Sequence, residues 1–170
     1  MDRRAYPFEG TEPAVHETAR VSRESTLVGD VSVGPDASVW PGAVLRGDVD
    51  AVVVGESAHV GDNASVHASR LGDRAMVGHG SVVNDSVVGA DSLVGFNATV
   101  DESEVGARCV VATGTVVPEG MSVPDESFVR GVPGSYTPLS ETTVDVEELF
   151  ETYHSGRYGD LAARHEALFE

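Results

Sequence analysis

Three consecutive stretches decide the fold: residues 54–70, VGESAHVGDNASVHASR; residues 71–87, LGDRAMVGHGSVVNDSV; and residues 88–104, VGADSLVGFNATVDESE. Each opens on an aliphatic residue followed by Gly. In each, further aliphatic residues follow after six, six and then five positions, a 17-residue super-period. The fourth position after most of these guide residues is small: Ala58, Ala64, Ala75, Ser81, Ser92, Ala98, Cys109 and Thr115. An aliphatic every six residues is neither a helical period nor a strand alternation. It fits a short strand, a corner, and a repetition of both.

Three such units close one triangular coil, and stacked coils form a parallel β-helix filled by ladders of Val, with Gly at tight corners. Working outward, guide residues continue upstream at Leu45, Val39, Val33 and Val28 and downstream at Val105, Val111, Val117 and Val123. The long step from Leu45 to Val54 reads as one protruding corner. The span from Val28 to Val123 predicts between five and six coils. Residues 1–26, with Pro7 and Pro13, read as a lead-in or cap, residues 27–130 as the β-helix, and residues 131–142, opening on Gly131-Val132-Pro133-Gly134, as an exit turn. Residues 143–170 read as helices: Val146, Leu149, Phe150 and Tyr153 share a face of one spanning 143–154. Ser155-Gly156-Arg157 is a break, and a second helix from Tyr158 groups Leu161, Ala162 and His165.

The composition of the 170 residues narrows the function. All 11 basic residues are Arg against 28 acids, a net charge of −17. Such a chain lacks the basic footprint expected of a nucleic-acid binder or of a protein held on an anionic membrane. No stretch approaches the ~20 apolar residues of a membrane span, and no secretory h-region opens the sequence. With Cys109 as the one cysteine, a reducing cytoplasm is the expected compartment. Cys109 holds a small inward position and reads as a buried, inert thiol. Acid excess without Lys points to a halophile's hydrated surface.

The super-period also yields columns, because residues 17 apart stack at about 4.8 Å, the inter-strand spacing. His67 stacks on Asn84, Asp101 and Pro118, with Arg46 at the head of the column. Asp62, His79, Phe96 and Thr113 form a second column, and His59, Met76, Leu93 and Val110 a third. The remaining histidines, His16, His154 and His165, lie outside the repeat.

The hexapeptide pattern resembles the left-handed β-helix family, and the left hand is implied by that resemblance. Arg46-Gly47-Asp48, Val60-Gly61-Asp62-Asn63 leading to Val66-His67, then Val77-Gly78-His79 and Gly131-Val132-Pro133-Gly134 occur in the order of the γ-class carbonic anhydrases and their relatives. The similarity covers roughly residues 25–140. It implies an all-β fold, a left-handed parallel β-helix with C-terminal α-helices, and a homotrimer with zinc held by three His at each subunit interface. Carbon dioxide and bicarbonate would be the substrate pair. Carried over, His67 is one ligand and His79 reaches the metal of the adjacent chain, with Arg46, Asp48 and Asp62 around it.

The third family His falls at position 84, where this chain has Asn84. The family's Gln falls at Gly61, and the acidic loop between the first two His is absent, since Ala68-Ser69-Arg70 runs straight to Leu71. A catalytic zinc needs three protein ligands and one open position. Three outcomes follow: a metal-poor inactive site, His59 as a substitute ligand, or Asn84 ligating through oxygen or a bridging water. Imidazole sites also accept iron or cobalt. The expected activity is hydration of carbon dioxide; the alternatives are an inactive trimeric scaffold and, last, a hexapeptide-repeat acyltransferase.

Overall fold

The computed structural model describes residues 4–154 and 160–169. It is a left-handed β-helix of about seven coils, with a few helices at the C-terminal end. The strands are two or three residues long wherever the six-six-five spacing holds, because each prism face lasts only until the next corner. One face stacks Arg20–Val21, Ser38–Val39, His59–Val60, Met76–Val77, Leu93–Val94, Val110–Val111 and Ser127–Gly131 in parallel register. The second carries Ser65–His67, Val82–Asn84, Thr99–Asp101 and Val116–Val117. The third carries Arg70–Leu71, Val87–Val88, Glu104–Val105 and Ser122–Val123. The long strands Thr26–Val33 and Val44–Val54 run through both the second and third faces.

Inside the prism, Val54, Val60, Val66, Leu71, Val77, Val83, Val88, Val94 and Val100 are all 0–2% exposed. The small partners that the repeat required, from Ala37 to Thr115, are equally buried. Stacking begins earlier than the repeat suggests. Ala14–Val15 pairs with the third face and Arg20–Val21 with the first, so part of the lead-in is already coil. At the other end, Phe128 and Val129 pair with Val110 and Val111. These additions account for the extra coils.

One guide position is corrected. Leu27 points inward, 2% exposed and paired with Leu45, whereas Val28 pairs with Arg46 on the outside. Leu27 restores the step of six between Val21 and Val33, which Val28 would break. The glycines that follow guide residues are also there for a different reason from tight-corner dihedrals. A Cβ at Gly61 would lie 2.9 Å from the backbone nitrogen of His79 and 3.0 Å from the Val77 carbonyl oxygen, in the next coil. Close approach between coils, rather than positive φ, demands Gly there.

The long corner is a four-residue bulge. Pairing runs from Gly29 with Gly47 directly to Val31 with Val52, leaving residues 48–51 without strand partners. A Cβ at Gly47 would run into the Asp30 carbonyl, so the entry into this bulge is fixed by backbone contact.

Residues 131–142 include a hairpin rather than a turn alone, Ser127–Gly131 pairing antiparallel with Gly134–Pro138. The helix expected over 143–154 runs from Val146 to His154. Its later start has a local cause: the Asp145 carboxylate accepts the Glu148 backbone N–H at 3.0 Å and caps the first turn. Phe150 is buried, as its helical face predicted. Two one-turn helices follow, Leu161–Arg164 and Glu166–Phe169. The expected break at residues 155–157 and the start at Tyr158 lie outside the described residues. Among the described residues no helix is long and apolar enough to cross a membrane.

Candidate functional site

The column beginning at Arg46 is the richest polar feature of the second face. Arg46 pairs in register with His67, His67 with Asn84, and Asn84 with Asp101, as the 17-residue arithmetic requires. The structure adds a continuous chain of contacts along it. Arg46 Nε lies 3.2 Å from Asp48 Oδ2, and Asp48 Oδ1 lies 2.9 Å from His67 Nε2. On the opposite edge of the ring, His67 Nδ1 lies 2.8 Å from Asn84 Oδ1, and Asn84 Nδ2 donates to Asp101 Oδ1 at 2.8 Å.

This chain fixes the proton on one ring nitrogen. A carboxylate only accepts, so the Asn84 amide nitrogen faces Asp101 and its oxygen faces His67. The His67 Nδ1 therefore carries hydrogen and donates to Asn84 Oδ1. Nε2 is left facing the Asp48 carboxylate at hydrogen-bond distance, as a second N–H donor in this arrangement. Burial works against the charge on Asp48. The His67 hydrogen bond and the Arg46 guanidinium outweigh it and hold the carboxyl below its usual value.

His79 lies at the corner between the first and second faces. Its Nδ1 is 2.7 Å from Asp62 Oδ2 and 3.0 Å from the Asp62 backbone nitrogen. One ring nitrogen cannot donate to the first and accept from the second. The Asp62 backbone N–H donates to Nδ1, which therefore accepts there, and the Asp62 carboxylate lies beside the same atom as a charge contact. In the neutral ring the hydrogen is then on Nε2, at the far edge of a side chain that is 53% exposed. Phe96, its column neighbour, stacks on it with centroids 5.1 Å apart and planes inclined by 16°.

His59 is not with His67. It lies on the first face, where its Nδ1 is 3.1 Å from Ser38 Oγ and its ring is 5.5 Å from that of Trp40. Trp40 in turn meets Phe169 at 5.3 Å and His165 at 5.9 Å from the C-terminal helices. A groove of about 1010 Å³ runs between that face and the helices, lined in part by Trp40, His59, Met76, Leu93 and Tyr153. Within one chain His59, weighed as a substitute ligand, stands on a different face from His67: an outward side chain one residue before its guide points from the first face, while His67 points from the second. Among the described residues of one chain, no three His, Cys, Asp or Glu side chains gather as a metal site.

Two contributors were not singled out from the sequence as functional. Asp101 orients the Asn84 amide, and the column arithmetic already placed it there. Trp40 joins His59 to the helices, and no spacing signal announced that contact. Cys109 is buried, as expected; burial pushes its thiol up.

Fold and side chains together define a left-handed hexapeptide-repeat β-helix that carries a histidine–carboxylate cluster along one column. Among characterised proteins the chain is similar to γ-type carbonic anhydrases. It is 36% identical over 64 residues to the carbonic anhydrase of Geobacillus kaustophilus, a match spanning 38% of this chain and 35% of that protein. It is 41% identical over 58 residues to the mitochondrial gamma carbonic anhydrase 1 of Arabidopsis thaliana, spanning 34% of this chain and 21% of that protein. These matches span about a third or less of the relatives' own lengths. No family model matches the chain. Among solved structures, a hexapeptide transferase family protein from Anaplasma phagocytophilum superposes with a TM-score of 0.87 at 26% identity, covering 97% of this chain and 99% of that one. A protein from Bacillus cereus described as a putative acetyltransferase gives 0.84 at 25% identity, covering 96% and 97%.

Proposed function

We propose that this protein catalyses the reversible hydration of carbon dioxide at a divalent metal, zinc in the first place, held between copies of the chain in a homotrimer. His67 of one copy and His79 of the partner subunit are the imidazole ligands. One observation supports this reading above the others: the His67 ring is oriented by its Nδ1–H donating to Asn84 Oδ1, which turns Nε2 toward Asp48 at the head of the column. Metal-ligating histidines are held in this way, by a hydrogen bond from the ring nitrogen that does not ligate. A bound zinc supplies Lewis acidity that brings the pKa of water to about 7.

The chain's own residues do the rest. Asp62 orients His79, and Asn84 with Asp101 orients His67. Arg46 holds one oxygen of Asp48 and places a guanidinium, half exposed, at the head of the column. On a surface with a net charge of −17, that cation marks a favourable place for an anionic bicarbonate. A soluble cytoplasmic lyase of a halophile fits the composition.

The test is stopped-flow carbon dioxide hydration by the native chain, with metal content and sedimentation measured on the same sample. Hydration that follows metal content and disappears in His67→Ala supports the reading. Metal-loaded trimer without hydration refutes it.

A second reading is favoured by one contact. The 2.9 Å approach of His67 Nε2 to Asp48 also suits an imidazolium–carboxylate pair, which needs no metal. In that reading the chain is a trimeric assembly subunit, and metal and activity appear only after Asn84→His. The two superposed structures described as transferases add acyl-coenzyme A as a ligand to exclude by calorimetry.

A further inference from the structure

Resting on the proposed metal-dependent hydration, we propose that Asp48 is the third protein ligand, in place of a histidine at position 84, and that Asn84 is a positioning residue for His67. The donor set is then His67 Nε2, Asp48 Oδ1 and the imidazole of His79 of the partner subunit: two imidazoles and one carboxylate. This set suits zinc, and equally iron(II) or cobalt(II).

Both atoms of the Asn84 amide are already committed. Its oxygen receives Nδ1–H of His67 and its nitrogen donates to Asp101, so the amide lies at the ring edge opposite Nε2. A ligand of the same metal must lie on the Nε2 side. Asp48 does, with Oδ1 2.9 Å from Nε2. Two donors on one tetrahedral zinc lie about 3.4 Å apart when each is about 2.1 Å from it. The observed pair is therefore about half an ångström short of that spacing. The carboxylate can open by that amount, because Asp48 stands in the bulge of residues 48–51 that no neighbouring strand holds.

Asp48 is also aimed. Gly47, pinned against Asp30, fixes where the bulge leaves the ladder, beside the head of the His67 column. Arg46 Nε engages Oδ2 at 3.2 Å, which leaves Oδ1 as the single oxygen presented to the metal. A carboxylate is the harder and more basic oxygen donor, so it binds a divalent cation where a neutral amide binds poorly. The substitution at 84 then removes no ligand that the site depends on; it supplies the acceptor that keeps Nε2 of His67 free of hydrogen when metal is bound.

The experiment uses the full chain, stripped with chelator and reloaded with cobalt(II) or zinc. The readouts are bound metal by mass spectrometry, the cobalt visible spectrum, and affinity by competition with a chromophoric chelator. Wild type is expected to bind one metal per chain. Asp48→Asn, nearly isosteric, should lose more than the roughly 10–100-fold that an outer-shell change costs. Asp48→Glu should retain cobalt with a shifted spectrum, which rescues the assignment should Asp48→Asn fold poorly by circular dichroism. Asn84→Ala should weaken binding by about 10–100-fold while leaving the cobalt spectrum unchanged.

Asp48→Asn that binds cobalt with wild-type affinity and spectrum overturns the ligand assignment. If that wild type still hydrates carbon dioxide, the proposed function stands without it. A wild type that neither binds metal nor hydrates carbon dioxide overturns both.

Discussion

Replacing Gly61 by Ala tests the coil stacking on which the whole site depends. The φ of Gly61 is not in the left-handed region, so an Ala there meets no conformational penalty. On backbone entropy alone, Gly→Ala at such a position stabilises by about 0.4–1 kcal/mol. The stacked coil reverses that sign. The added Cβ falls 2.9 Å from both the backbone nitrogen and Nδ1 of His79, and 3.0 Å from the Val77 carbonyl oxygen. Two of these three atoms are backbone of the next coil and cannot swing aside. Overpacking of this kind costs about 1–3 kcal/mol. For a chain of this size that lowers the melting temperature by about 2–12 °C, at roughly 2–4 °C per kcal/mol. The assay is thermal and urea unfolding followed by far-ultraviolet circular dichroism, for Gly61→Ala in the natural chain and in a His79→Ala background. The loss should persist in that background, because the backbone contacts remain when the imidazole is gone. A Gly61→Ala protein melting at or above wild type would refute the 17-residue register. Full rescue by His79→Ala would place the collision in the ring rather than between coils.

Three other outcomes follow from the same packing and charges. Val83→Ala, at a fully buried ladder position, should cost about 2 kcal/mol by urea unfolding, whereas Val82→Ala, one residue away and 39% exposed, should change stability by less than about 0.5 kcal/mol. Cys109, its thiol pushed up by burial, should react with a thiol-specific disulfide reagent at pH 8 only as fast as the protein opens, and freely in urea. The Glu102 carboxyl is pushed up, first by Glu119 and then by burial, Asp101 and Asp85. A carboxyl raised on folding binds its proton more tightly in the native state, so its ionised form opposes folding and the penalty fades as pH falls through the raised value. Glu102→Gln should therefore raise the neutral-pH melting temperature, and the difference should shrink in acid and in 1 M salt, where screening reaches about 3 Å.

The ladder was legible because a β-helix is nearly one-dimensional. Each hexad repeats one local problem, an inward aliphatic and a small partner, so spacing alone put Val60, Val77 and Val94 on one inner wall and His67 over Asn84. It failed where the repeat is weakest. Val28 is as aliphatic as Leu27 and is followed by Gly, and strand pairing with the buried side chain shows that Leu27 holds the inward position. The first coil, through Val15 and Val21, escaped because a guide at Val28 breaks the step of six that leads back from Leu27 to both residues. His59 was weighed as a ligand beside His67 because of its nearness in sequence, and the prism puts the two on different faces because a corner intervenes between Val60 and Val66.

By itself, then, the sequence determined the prism, its register and the membership of the Arg46–His67–Asn84–Asp101 column, since a fixed period assigns every repeating residue an address. The tertiary structure decided how the side chains within that column face one another. A period says that Asn84 lies beside His67, but not that its oxygen turns to Nδ1 while its nitrogen turns to Asp101. It gives no address at all to Asp48, which stands in an inserted bulge outside the repeat. Asp48 reaches the imidazole only because Gly47 meets Asp30 and Arg46 holds its other oxygen. Rotamers and insertions are settled by neighbours in space, and a linear repeat carries no record of them.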